Sequence, residues 1–137
     1  NGKMELHGAP VSLADVKIPI YNLATKEDHI APALSVFEGS KSFGSNVTYV
    51  MGGSGHIAGV INPPAKNKYQ FWSGPKVAGE FSKWLEKAKV TEGSWWPHWQ
   101  AWIEKDDNTR VPARTNLGGG KLKPLCDAPG EYVRERS

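Results

Sequence analysis

The sequence predicts an α/β fold in which a helix connects two parallel strands. Residues 16–23 and 46–51 alternate in side-chain character and are rich in β-branched and aromatic residues, as strands are. Between them, residues 31–43 carry one apolar side, which is typical of a helix. Because two strands alone bury too little apolar surface to be stable, we expect the closing edge of a larger parallel sheet whose other strands lie upstream.

The two strands differ in how clearly they are bounded. The first reads Val-Lys-Ile-Pro-Ile-Tyr-Asn-Leu over residues 16–23, and Pro19 is tolerated near its start because a strand end needs no N–H there. The second reads Asn-Val-Thr-Tyr-Val-Met over residues 46–51 and runs into the glycine-rich turn 52–55. Pro32 suits the first turn of the intervening helix.

Two further helices are predicted after the second strand. Residues 76–89 place large apolar side chains at helical spacing, namely Val77, Phe81, Trp84 and Leu85. Residues 95–103 would carry three rings on one face, those of Trp95, Trp99 and Trp102. We interpret this tryptophan group as helix packing, since large rings bury much apolar area.

The chain becomes irregular from Asp106 onward. Scattered prolines and the run Gly118-Gly119-Gly120 favour an extended tail. We therefore predict part of an α/β domain over residues 1–105 and an irregular C-terminal extension over residues 106–137.

Composition excludes several classes of function. The net charge is +3, and no basic run or arginine cluster points to nucleic acid. Cys126 is the single cysteine, so no internal disulfide can form and the cytoplasm is the expected compartment. No apolar run approaches the about 18 residues of a membrane span. The four histidines show no metal-ligand spacing, and we predict neither a metal nor a cofactor.

Two titratable residues follow the predicted strands. Asp28 lies in the loop after the first strand, and His56 lies in the loop after the second. Because the carboxyl ends of parallel strands meet at one edge, a right-handed crossover would bring these loops together. Acid followed by histidine is the order of the α/β-hydrolase triad. The alternatives are an aspartate that caps the next helix and a histidine bound to backbone.

Longer stretches of the sequence resemble the class I polyhydroxyalkanoate synthases. The residues that carry this resemblance are 26–30 with Pro32, the histidine loop 53–68, the run 93–97 with Trp99 and Trp102, and 128–130 with Tyr132 and Val133. The resemblance covers essentially the whole chain. It implies the C-terminal portion of an α/β-hydrolase fold, with its last parallel strands and crossover helix followed by helices and an extended tail.

The resemblance also implies an activity. Such synthases polymerise (R)-3-hydroxyacyl-CoA into polyester and release CoA, with a cysteine that forms the acyl thioester. His56 corresponds to the histidine that activates this cysteine, Asp28 to the triad aspartate, and His29 to a neighbouring histidine in a supporting role. No substrate-binding residue can be named. The implied partners are the substrate, the growing polyester, the granule surface in the cytoplasm, and a second copy of the whole enzyme.

The sequence offers no residue that suits the nucleophile. Cys126 lies in the tail after the histidine, in the wrong order for a triad, and Ser54 lacks the second glycine of a Gly-x-Ser-x-Gly elbow because His56 occupies that position. We therefore expect this chain to be a fragment that is inactive alone. Two alternatives remain open: an esterase or depolymerase of the same fold, and a non-catalytic module that binds polyester granules through its tryptophans.

Overall fold

A computed structural model describes residues 4–136 and shows a mixed α/β structure with two sheets and three helices. The chain divides into two compact units, Asn1–Asp107 and Asn108–Ser137. Within the described residues, no helix is long and apolar enough to cross a membrane.

The first unit opens with a small hairpin. Strands β1 (Met4–Leu6) and β2 (Ala9–Val11) pair antiparallel. The turn uses His7 and Gly8, whose φ angles of 48° and 76° match the twist of a two-residue hairpin turn.

Four strands form the main sheet in the order β3-β4-β5-β6, with bounds β3 (Ile20–Thr25), β4 (Val47–Gly52), β5 (Gln70–Ser73) and β6 (Lys89–Glu92). Strands β3 and β4 are parallel, as predicted. Strands β5 and β6 each pair antiparallel and were not predicted, so the expectation that only helices and a tail follow β4 is wrong.

The three predicted helices are present but shorter: α1 (Ala33–Ser40), α2 (Phe81–Lys87) and α3 (Trp96–Ile103). Pro32 precedes α1 as an extended cap residue, with ψ of 137°, and is not part of its first turn. Helix α2 begins five residues later than predicted. Gly79 has a φ of 66°, which a right-handed helix cannot include.

Helices cover both faces of the main sheet. Successive residues of a strand point to opposite faces. Asn22 of β3 donates from Nδ2 to Ser40 Oγ of α1 at 2.8 Å. Its neighbour Tyr21 is hydrogen-bonded to His98 Nδ1 of α3 at 2.9 Å. Helices α1 and α3 therefore lie on opposite faces.

Packed aromatic rings attach α1 and α2 to the sheet. Phe37, Tyr49 and Trp84 are at most 2% exposed. The Tyr49 ring lies 4.9 Å from that of Trp84 and 5.3 Å from that of Phe37, both edge-to-face. Edge-to-face ring pairs stabilise a fold by more than the burial of their apolar surface alone. Because α1 is the crossover between β3 and β4, this cluster also fixes the loops at its ends.

The second unit contains little regular structure. Gly119 and Leu122 form an isolated antiparallel bridge, and Tyr132–Arg134 form a short 3-10 turn. This irregularity agrees with the composition of the tail. The predicted division at residue 106 remains a prediction.

Candidate active site

The site lies where β3 and β4 end. The two strands pair in parallel from Ile20 opposite Val47 to Thr25 opposite Gly52, so their carboxyl ends are level. We call residues 26–32, which follow β3, the acid loop, and residues 53–68, which follow β4, the histidine loop. The register alone brings the starts of both loops side by side.

Backbone hydrogen bonds continue the strand pairing into the loops. The Lys26 N–H donates to the Gly52 carbonyl at 2.9 Å, and the Glu27 N–H donates to the Ser54 carbonyl at 3.0 Å. Ser54 has a φ of 65°, in the left-handed region, which turns the histidine loop at this point. Asp28 directly follows Glu27, and His56 follows Ser54 after one intervening glycine, so the two residues face each other across a short distance.

Asp28 and His56 are in direct contact. His56 Nδ1 lies 2.8 Å from Asp28 Oδ2. The other carboxylate oxygen, Oδ1, accepts the backbone N–H groups of Ile30 and Ala31, both at 2.9 Å. The Asp28 side chain is 8% exposed and that of His56 is 51% exposed. The carboxylate is thus held at both oxygens, while the imidazole presents half of its surface.

The hydrogen bonds keep Asp28 ionised. They lower its pKa to about 2, through the Ala31 N–H first, then the His56 ring, with a smaller effect from the Ile30 N–H. An ionised carboxylate can only accept hydrogen bonds, so the proton of the His56–Asp28 contact sits on Nδ1. The lone pair of the neutral ring is then on Nε2, which has no hydrogen-bond partner among residues 4–136.

A pocket of about 200 Å³ adjoins the pair. Asp28 and His56 line it together with the apolar side chains of Leu23, Val36 and Val60. The Thr25 hydroxyl at its wall is buried and has no hydrogen-bond partner in the described part of the chain. The pair thus lies at the edge of a small, mainly apolar pocket.

Residues that the sequence analysis did not assign to the site form hydrogen bonds with the backbone of the histidine loop. The indole N–H groups of Trp95 and Trp96 both donate to the Val60 carbonyl, at 3.3 and 3.0 Å. The Ser94 hydroxyl donates to the Asn62 carbonyl at 2.5 Å. The run 93–97 was noticed in the sequence, but the tryptophans were interpreted as helix packing, with granule binding as the alternative.

Two other residues singled out in the sequence are His29 and Cys126. His29 is exposed, and its side chain forms no hydrogen bond within residues 4–136. Cys126 is exposed and belongs to the second unit. No group of three metal-binding side chains occurs in the part of the chain that the structure describes. The catalytic roles of Asp28, His56 and His29 remain predictions.

Comparison with known proteins gives several close matches. The chain is 63% identical over 136 residues, 99% of its length, to the poly(3-hydroxyalkanoate) polymerase subunit PhaC of Rhizobium meliloti. It is 53% identical over 137 residues, again 99% of its length, to the poly(3-hydroxyalkanoate) polymerase of Methylorubrum extorquens. It is 38% identical over 136 residues, also 99% of its length, to the subunit PhaC of Cupriavidus necator.

The aligned parts make up 22% to 23% of these relatives, so the chain spans less than a quarter of the length of the curated proteins that it matches. No protein-family profile matches the chain. The aligned region nevertheless includes the acid loop, the histidine loop and the tryptophan run, since it covers 99% of the chain. Over almost its whole length, the chain is thus similar to one part of the poly(3-hydroxyalkanoate) polymerases.

Proposed function

We propose that this chain is the part of a class I poly(3-hydroxyalkanoate) polymerase that supplies the aspartate and the histidine of a Cys-His-Asp triad. The cysteine would come from another part of the longer protein. The observation that carries the proposal is the 2.8 Å contact between His56 Nδ1 and Asp28 Oδ2, with the opposite ring nitrogen left without a partner in the described residues. The names of the relatives supply the substrate class.

The geometry suits the activation of a thiol. With Nδ1 protonated toward Asp28, Nε2 of His56 can accept the proton of the cysteine. The thiolate then attacks the carbonyl carbon of (R)-3-hydroxyacyl-CoA, the bond from that carbon to the CoA sulfur breaks, and the departing CoA thiolate takes up a proton from the imidazolium. The acyl group remains as a thioester on the enzyme.

The same pair can serve chain elongation. The 3-hydroxyl group of an acyl unit must lose a proton as its oxygen attacks the thioester of the growing chain. Either Nε2 of His56 or the carboxylate of Asp28 is the acceptor for that proton. Because Asp28 stays anionic above a pH of about 2, it stabilises the imidazolium that forms in each step.

The sheet supports an α/β-hydrolase fold for the longer protein. Strand β3 has a strand neighbour on one side only within residues 4–136. In the α/β-hydrolase fold the nucleophile follows a strand on the acid side of the acid–histidine pair. We propose that further parallel strands of the polymerase pair with the open edge of β3, next to the pocket that adjoins His56.

The two alternatives are less well supported. A hydrolase of the same fold would use the same pair with a serine, but every relative named above is a polymerase. A granule-binding module would present its tryptophan rings outward. Instead, Trp95 and Trp96 direct their N–H groups to the histidine loop. Attachment to polyester granules in the cytoplasm and dimer formation belong to the proposal for the whole enzyme.

The test uses the complete polymerase that carries this sequence, with 3-hydroxybutyryl-CoA as substrate and CoA release as the measurement. We expect His56→Gln and Asp28→Asn to lower kcat by roughly 10³-fold or more, because each removes one member of a triad. His7→Asn is the matched control, since His7 lies in the β1–β2 turn and asparagine tolerates its positive φ.

Two results would contradict the proposal. CoA release by His56→Gln within a few-fold of the wild-type rate would exclude His56 as the base. The complete protein could instead hydrolyse the substrate to free acid, form no polymer and carry the acyl group on a serine. That result would assign the chain to the esterases.

A further inference from the structure

We infer that Ser94 and Trp96 are positioning residues that hold His56 against Asp28 through the backbone of the histidine loop. The inference rests on the proposed function, because it concerns how the proposed base is kept in place. We call Ser94, Trp95 and Trp96 the clamp. None of the three forms a hydrogen bond with His56 or Asp28 in the described structure, and their bonds go to the backbone of the histidine loop instead.

His56 needs such support because its own contacts are few. The ring is about half exposed, and its one hydrogen bond among the described residues is to Asp28. Its position therefore depends on the backbone that carries it. That backbone continues as a tight helical turn, in which the Gly59 N–H donates to the Gly55 carbonyl at 2.9 Å and the Ile61 N–H to the Ile57 carbonyl at 2.8 Å.

The clamp attaches to the end of this turn. Val60 stands four residues after His56, and its carbonyl accepts two indole N–H groups, from Trp96 at 3.0 Å and Trp95 at 3.3 Å. The same carbonyl also accepts the backbone N–H of Asn62 at 3.0 Å, so the two indoles bind it together with the loop's own backbone. Movement of the turn away from Asp28 would break both bonds at once.

Within the clamp, Ser94 binds the next part of the histidine loop. Its hydroxyl donates to the Asn62 carbonyl at 2.5 Å and accepts the backbone N–H of Trp96 at 3.1 Å. Ser94 is 5% exposed and Asn62 is 4% exposed. The Asn62 side chain in turn accepts the backbone N–H of Lys68 at 3.1 Å, which closes the loop on itself. Buried polar groups that satisfy one another in this way specify one conformation.

The main sheet and the histidine loop together fix where the clamp begins. It follows β6 directly, and β6 pairs with β5 from Gln70 opposite Glu92. Gly93 has a φ of 89°, and a Cβ atom there would collide with the Asn67 amide side chain, whose Oδ1 accepts the Ser94 N–H at 3.0 Å. The start of the clamp is thus fixed on both sides, by the strand pairing and by the histidine loop itself.

Three substitutions in the complete polymerase separate positioning from simple packing. Trp96→Phe keeps a ring but removes one N–H, Ser94→Ala removes the hydroxyl, and Ser94→Thr restores it. Trp99→Phe is the matched control, because Trp99 is 40% exposed in the same helix and its indole makes no hydrogen bond in the described structure. CoA release from 3-hydroxybutyryl-CoA gives kcat and KM. Proton NMR of 15N-histidine-labelled protein, assigned with His56→Gln, reports the Nδ1–H of His56.

We expect Trp96→Phe and Ser94→Ala to lower kcat about tenfold with KM within about twofold of wild type, because a misplaced base costs rate and not affinity. Their His56 Nδ1–H signal should weaken or move upfield. Ser94→Thr and Trp99→Phe should retain both the rate and the signal.

The Nδ1–H signal of His56 tests the positioning role of the clamp independently of the proposed function. An unchanged Nδ1–H signal in both Trp96→Phe and Ser94→Ala would overturn the inference, whatever the rates are. Equal loss of signal in Trp99→Phe would overturn it as well, since general loosening of α3 would then suffice. Wild-type turnover by His56→Gln would refute the proposed function, while the signal would still decide whether the clamp holds His56.

Discussion

Gly59 offers a sharp test of how tightly the histidine loop is built. A Cβ atom added there would lie 2.7 Å from Thr25 Cγ2 and 2.9 Å from the Gly55 carbonyl oxygen, and it would collide with the Gly53 carbonyl oxygen. Two of these three contacts are backbone atoms, which cannot rotate away. The Gly59→Ala protein must therefore shift its loop by roughly half an ångström or more to restore van der Waals distances.

The cost of Gly59→Ala should appear in both stability and rate. Overpacking a filled site destabilises by about 1–3 kcal/mol. Because the shift lies three residues from His56, we also expect kcat for CoA release to fall about 10- to 100-fold, the range that follows from misplacing a catalytic group by up to 1 Å. Urea unfolding and CoA release by the complete polymerase measure the two effects.

Gly39→Ala is the matched control. Gly39 lies within α1, and no atom comes within 4 Å of the position that its Cβ would occupy. The same chemical change there should stabilise the protein by about 0.5–1 kcal/mol, because alanine is the better helix former, and should leave turnover unchanged. Wild-type turnover and stability for Gly59→Ala, or equal effects of the two alanines, would refute the crowding argument.

Three other predictions concern the core and the carboxylate. Trp84→Ala should destabilise by about 3–5 kcal/mol in urea unfolding, because Trp84 is 2% exposed and stacks within the ring cluster. Tyr49→Phe should cost about 0.5–1.5 kcal/mol, since only the 2.8 Å hydrogen bond to the Ala33 carbonyl is lost. The lowered pKa of Asp28 stabilises the folded chain above its ordinary value near 3.8, and this contribution is lost as the pH falls toward about 2. The stability difference between wild type and Asp28→Asn should therefore shrink over that interval.

The parts of the fold that local patterns specify were predictable from the sequence. Strands β3 and β4 and helix α1 each carry their own period of apolar residues, and the parallel pairing of the strands is confirmed. The juxtaposition of Asp28 and His56 followed from that pairing, since both residues stand just past a strand end. The strand boundaries were less exact: β3 starts at Ile20 and not at residue 16, because its pairing with β4 begins there.

The antiparallel strands were missed because their signals are not local. Strand β6 has four residues, and its first, Lys89, was taken as the end of a helix. What makes this segment a strand is its pairing with β5, in which Trp72 stands opposite Val90, eighteen residues away. Such pairing depends on tertiary context that outweighs the propensity of a short segment.

The hydrogen bonds of the clamp were likewise not predictable from the sequence. The sequence marked Trp95 and Trp96 as unusual, and large rings in a helix usually pack. Their hydrogen bonds reach the Val60 carbonyl, 35 and 36 residues earlier in the chain. Ser94 and Asn62 carried no signal of their own beyond being polar residues beside glycine and proline. Only the folded arrangement shows that these groups satisfy one another.

Two parts of the chain build the site: the parallel strands β3 and β4 with their loops, and the segment that follows β6. The acid and the histidine are brought together by residues close in sequence, from the end of β3 to the start of the histidine loop, through a parallel ladder. Their fixed separation depends on a second, distant segment that follows β6. Because β5 lies between β6 and β4 in the described sheet, a change in the β5–β6 pairing should disturb His56 without altering any residue of the pair. Distance from the reacting atoms is therefore a poor guide to which substitutions this site tolerates.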